Sequence, residues 1–177
     1  MSKTKKKMLV LDTILALVLI GFDQFTKHLA VVKLRGQEPF VLIKGVLELD
    51  YLENRGAAFG MLQNQKVLLV AVGVIFLAAI CFFLIRVPDE KKYYVMHILA
   101  SVIVAGGLGN MIDRIRLDYV VDFISFVLIH FPIFNVADIY VVVATICVFV
   151  LFLFVYKEED FSFLGKKKDT ENDKQTG

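Results

Sequence analysis

Charge is scarce in this chain. Of its 177 residues only 21% are Asp, Glu, Lys or Arg, while 58% are hydrophobic and mean hydropathy is +0.69. A soluble domain of this size is less apolar than that, so lipid is expected to be part of the solvent. Net charge is +2, which argues against a polyanion-binding surface and against nucleic acid as a partner. Cysteine is also sparse. Cys81 and Cys147 each lie in an apolar run, where a thiol serves as a small hydrophobe rather than as a disulfide partner. His28, His97 and His130 are scattered and no HExxH occurs, so neither a zinc site nor any cofactor is expected. No Ser sits in a GxSxG context and neither Cys has a nearby His, which leaves serine and cysteine nucleophiles without support.

What the chain has instead is four long apolar runs. About 20 residues of helix cross roughly 30 Å of hydrocarbon. Segments of about that length run from Met8 to Phe25, Val67 to Ile85, Tyr93 to Ile112 and Ile139 to Tyr156. The predicted fold class is therefore a mainly α membrane protein with four transmembrane helices. Lys3, Lys5, Lys6 and Lys7 before the first run imitate a secretory signal, but a small-residue cleavage site is missing and Asp23 follows, so this helix is expected to be retained.

Lys and Arg concentrate before the first run, between Arg86 and Lys92, and after Lys157. That asymmetry predicts cytoplasmic termini and sends residues 26–66 and 113–138 to the outer face. In the first outer stretch Leu47 to Leu52 alternates apolar and polar, as in a half-buried strand, and predicts a small extracytoplasmic sheet. The second, Ile115 to Phe134, is apolar between its charges and reads as an interfacial segment. Residues 1–157 read as a single four-helix domain and residues 158–177 as a disordered cytoplasmic tail, rich in Lys, Asp and Glu.

Five polar clusters interrupt this pattern where ionisable groups are costly to place. They are FDQFTK with Asp23, Gln24 and Lys27, NRGAAF from Asn54 to Phe59, GGLGNMIDR over residues 106–114, VVDF with Asp122, and FNVAD with Asn135 and Asp138. All five fall at one predicted membrane face. Each has a structural explanation taken alone. Asp23 and Lys27 are spaced as an i,i+4 ion pair, NRGAAF suits a turn, and Gly106, Gly107 and Gly109 suit close helix approach. Asp113 and Arg114 suit a structural pair, and Asp138 suits a helix cap. Their convergence on one level is what points to chemistry.

Asp122 and Asp138 are separated by apolar chain able to fold back and bring them together. Two facing carboxylates share one proton, so the pair can take a proton from water and give one to a carbonyl oxygen, the logic of an aspartic protease. Asn54, Asn110 and Asn135, each both donor and acceptor, are candidates to hold an extended peptide.

Five such elements in this order, DQFTK, NRGAAF, GGLGNMIDR, VVDF and FNVAD, resemble those of lipoprotein signal peptidase, also called signal peptidase II. The resemblance covers all but the N-terminal lysines and the tail. It implies a catalytic dyad of Asp122 and Asp138 and a substrate site lined by Asp23, Lys27, Asn54, Gly56, Asn110, Arg114 and Asn135, with Asp113 and Ala137 in support. It further implies diacylglyceryl-modified prolipoproteins as substrates, cut on the amino side of the lipidated Cys. The expected setting is a monomer among membrane lipids of the bacterial cytoplasmic membrane, its active site near the outer face. Arg55 and Met111 occupy positions read as variable. A small proton-coupled transporter is the alternative, since intramembrane carboxylates also relay protons, but no internal repeat accompanies it. A noncatalytic scaffold built on the glycine-rich third run is the other.

Overall fold

A computed structural model describes residues 2–57 and 61–165. Four α-helices, α1 (Lys3–Leu34), α2 (Lys66–Arg86), α3 (Tyr94–Leu117) and α4 (Val136–Phe154), are long and apolar enough to cross a membrane. The three strands β1 (Phe40–Ile43), β2 (Leu47–Asn54) and β3 (Val120–Phe126) form one antiparallel sheet in the order β1-β2-β3. The expected mainly α membrane fold with a small sheet is the fold observed.

α1 is 32 residues long, against the 18 of its apolar run. At 1.5 Å per residue it spans about 48 Å and so outruns the hydrocarbon at both ends. The extra turns carry the lysines at one end and Thr26 to Leu34 at the other, because a helix already nucleated in lipid continues through polar sequence while its backbone stays satisfied. Large apolar side chains face outward along the helices, as with Leu17, Ile75, Ile98 and Phe149, where lipid replaces a protein partner.

α3 is the hub. Half of its spanning window is buried, against 11% in each of the other helices, and its inward face is built from small residues including Ala100, Ser101, Ala105, Gly106 and Gly109. Such residues let backbones approach where no hydrophobic effect drives helices together. The approach at Gly106 leaves no room for a methyl group, since a Cβ there would sit 2.5 Å from the Ala137 carbonyl oxygen and 2.7 Å from Val141 Cγ2. Gly106→Ala must push α4 away from α3. The expected cost is about 1–3 kcal/mol of stability, read as a lowered unfolding midpoint in detergent micelles; an unchanged midpoint would show that this contact is slack.

The second outer stretch departs from expectation. Instead of lying wholly in the interface, it supplies β3, whose first four residues are all buried. Val121 and Phe123 pack with Ala30 of α1, while Asp122 turns to the opposite face. A strand buried on both sides has no alternation to read, and the apolar look of this stretch has that origin. The start of the tail also departs. Glu158–Leu164 forms a 3₁₀ helix whose Phe161 and Phe163 pack on a cluster of Val87, Tyr93, Met96 and Tyr156, so aromatic burial outweighs the local charge. The rest of the expected tail, residues 166–177, lies outside the described residues.

Candidate active site

Two backbone devices bring Asp122 and Asp138 together. After β3 a 3₁₀ turn at Val127–Ile129, ended by His130 in the left-handed region (φ 49°), reverses the chain. The Phe134 carbonyl then accepts from the amides of Phe123 (3.0 Å) and Ile124 (2.8 Å), and the Phe134 amide returns a bond to Ile124 O (3.1 Å). Residues 131–135 therefore run back along β3, and Asn135 arrives beside Asp122.

Asn135 is also the N-cap of α4. Its side-chain oxygen accepts from the Asp138 amide (3.1 Å), and its own amide donates to Asp138 Oδ2 (3.1 Å), a reciprocal capping box. The Asn135 Nδ2 donates to Asp122 Oδ1 (2.6 Å) and to Asn110 Oδ1 (3.1 Å). One fully buried asparagine thus holds both carboxylates. Each remaining oxygen of the pair has its own donor. Asn54 Nδ2 reaches Asp122 Oδ2 at 2.9 Å, and Asn110 Nδ2 reaches Asp138 Oδ1 at 2.7 Å. The sheet register explains the first contact: Asn54 opposes Val120, so Asp122 lies diagonally across on the same face.

Behind the pair stands a second layer centred on Lys27. Its ammonium contacts Asp23 Oδ2 and Asp113 Oδ2, each at 3.0 Å, and donates to Asn110 Oδ1 at 2.8 Å. Three donors meet three acceptors. Asp23 Oδ1 accepts from the Ala137 amide (3.0 Å), satisfying a first-turn N–H of α4 and placing a carboxylate at its positive end. Asp113 Oδ2 accepts from the Val121 amide (3.2 Å), fixing β3 against α3. Gln24, for which the sequence suggests no role, joins this layer by donating to Asp113 Oδ1 (2.9 Å), Asp23 Oδ2 (3.2 Å) and Gly109 O (3.3 Å). Its signal in the sequence is only its place beside Asp23. A Cβ at Gly109 would stand 2.5 Å from Asp23 Oδ2, so the layer depends on glycine there.

Arg114 does not pair with Asp113 among the described residues; Lys27 takes that carboxylate. The Arg114 guanidinium instead donates to Gly56 O (2.8 Å) and weakly to Asn110 O (3.4 Å), tying the NRGAAF loop to α3, while its buried Nε has no partner among the described residues. Asn54 Oδ1 accepts from the Gly56 amide at 2.9 Å and so shapes the same loop. Residues 58–60 of that motif lie outside the described residues.

Exposure divides these residues. Asp23 and Asn135 are wholly buried, Lys27 is 3% exposed and Asp113 4%, so they are shielded from any incoming chain. Asp138, Asn110, Arg114 and Asn54 are only half-buried. Asp122 is 1% exposed. Burial pushes its carboxyl up to about 6, with the neighbouring Asp138 charge acting in the same direction against the lowering effect of its Asn54 and Asn135 hydrogen bonds. Four carboxylates against two cations leave negative charge in excess, which favours retention of a proton in the cluster.

The sequence profile of the signal peptidase (SPase) II family matches residues 15–154. The chain belongs to this family. Among signal peptidase II relatives, the lipoprotein signal peptidase of Streptococcus thermophilus is 42% identical over 146 residues, covering 82% of this chain and 92% of that one. That of Caldanaerobacter subterraneus is 41% identical over 145 residues, covering 79% and 97%. A solved structure described as a bacterial membrane enzyme superimposes with a TM-score of 0.71 at 30% identity, covering 89% of this chain and 93% of that chain. As a signal peptidase II family member the protein is a peptidase, and its four apolar helices make it a multi-pass membrane protein.

Proposed function

We propose that the protein is an aspartic endopeptidase that removes the signal peptide from diacylglyceryl-modified prolipoproteins, cutting on the amino side of the lipidated Cys. The observation that carries this reading is Asn135, whose side chain holds Asp122 while its backbone holds Asp138.

The resting pair carries one proton, on Asp122, the more buried carboxyl. Asp138 takes a proton from water as the water oxygen attacks the scissile carbonyl carbon, and Asp122 gives its proton to the carbonyl oxygen. The tetrahedral diol then collapses. Asp138 passes its proton to the leaving amide nitrogen, Asp122 recovers one from the diol, and the C–N bond breaks to give a new carboxyl terminus and a free amino-terminal Cys. No covalent intermediate forms. Asn54, Asn110, Gly56 and Arg114 border the entering peptide. Asp23, Lys27 and Asn135, by contrast, act as positioning residues, because their polar groups are consumed within the protein. The lysine-rich ends face the cytoplasm and the carboxylates the outer leaflet, so that substrate enters sideways from lipid with water at hand.

The test is a purified-protein assay on two precursors that differ only in diacylglycerol on the Cys. Expected is release of a peptide ending immediately before Cys from the lipidated precursor, with the unlipidated one cut at least tenfold more slowly. Equal cutting of both, or a cut elsewhere, would overturn the substrate assignment, and full activity in the Asp122→Asn/Asp138→Asn double variant would overturn the dyad.

A further inference from the structure

A groove lies away from the carboxylates, at the opposite end of α1. Its volume is about 520 Å³, and Lys3, Thr4, Lys7, Leu11, Tyr94 and Ile98 are among its lining residues, a size within the range of small-ligand sites. Lys7 and Asp23 are 16 residues apart on one helix, about 24 Å, so the groove opens at the headgroup level of the leaflet facing away from the active site.

Its chemistry is graded along the helix axis. Lys3 and Lys7, spaced i,i+4, share one face of α1, both are exposed, and among the described residues neither makes an ion pair. Thr4 adds a hydroxyl at the same rim. Deeper, Leu11 (55% exposed) from α1 and Ile98 (51%) from α3 form two apolar walls, with Tyr94 (41%) between them and the rim. The other charged groups here are already engaged. Asp12 is held by His97 Nδ1 at 2.6 Å, and Lys5 turns inward to the carbonyls of Leu84 (2.7 Å) and Val87, capping the last turn of α2. Two uncompensated cations above two apolar walls match a ligand with an anionic head and a hydrocarbon tail.

We infer that this groove is a binding site for an anionic glycerophospholipid, its phosphate between Lys3 and Lys7 and one acyl chain between Leu11 and Ile98. A zwitterionic lipid satisfies the walls but brings a second cation to the lysine rim, and a free phosphate satisfies the rim alone. The inference is independent of the proposed peptidase reaction.

The test uses the delipidated full-length protein in a neutral detergent, titrated with phosphatidylglycerol, with phosphatidylcholine of the same chains, and with inorganic phosphate, and read by native mass spectrometry. Phosphatidylglycerol is expected to bind at least tenfold more tightly than phosphatidylcholine, and inorganic phosphate not to compete at equal concentration. A lysine at a membrane surface contributes about fivefold in affinity for an anionic lipid, so Lys3→Gln/Lys7→Gln should lose roughly twentyfold, while Lys6→Gln, outside the groove, should lose less than threefold. Ile98→Trp, which fills the groove and keeps every charge, should weaken phosphatidylglycerol binding at least fivefold. Equal affinity for both lipids, equal losses from the Lys6 and Lys3/Lys7 changes, or an unaltered Ile98→Trp protein would overturn the site, and effective competition by inorganic phosphate would overturn its lipid identity.

Discussion

Replacing either Asp122 or Asp138 with Asn should lower kcat by about a thousandfold or more while changing KM less than threefold. Positioned acid–base groups contribute roughly 10² to 10⁴ in rate, and in a dyad each carboxyl serves both halves of the reaction, so loss of one removes the function of the pair. The two changes should not add, since the double variant has nothing further to lose. Single-turnover release of signal peptide measures this. Residual activity above about a tenth in either single variant would sink the dyad.

The same pair fixes the sign of the pH dependence. Asp122, pushed up to about 6 by burial and then by the Asp138 charge, keeps its proton to higher pH than an ordinary carboxyl. The reactive form holds one proton in the pair, so kcat/KM should fall tenfold per pH unit above an apparent value near 6, a property of the coupled pair rather than of one residue. Asn54 stabilises the charged form of Asp122 through its 2.9 Å hydrogen bond. Asn54→Leu keeps the volume and removes that donor, so the alkaline limb should move to higher pH; movement to lower pH would contradict this account.

The four spans were legible because each is a long apolar run, and length alone separates them from soluble helices. Their ends were not. α1 continues through FDQFTK to Leu34 because the charges there are answered by α3 and α4, partners no local window contains. β2 showed its alternation of Leu with Glu and Asp although the strand is half-buried almost throughout, whereas β3, buried over its first four residues, read as interface. At the site, the convergence of carboxylates and asparagines followed from their shared membrane face. Their division of labour did not. Asn135 looked like a peptide binder from its chemistry, yet its amide groups are spent on Asp122, Asn110 and Asp138. Asp113 stands next to Arg114 in sequence, but adjacent helix residues point about 100° apart, and Lys27 reaches it instead.

Lys27 is where the largest loss of stability is expected. Its ammonium meets Asp23 and Asp113 at 3.0 Å each and Asn110 at 2.8 Å, inside a layer where all three charged groups are under 5% exposed. Lys27→Met keeps the aliphatic stem and deletes the charge, leaving two buried carboxylates facing each other. Breaking a buried pair in this way costs about 3–5 kcal/mol, and two stranded anions place this case at the upper end. Asp113→Asn in the Lys27→Met background removes one stranded charge and should restore part of the loss, the positive coupling of a double-mutant cycle. Lys27→Arg should not rescue, because a planar fork cannot meet three acceptors arranged around one ammonium. Denaturant unfolding in micelles is the measurement. A loss below about 1 kcal/mol would mean that Lys27 is not what holds α1, α3 and α4 in register around the site.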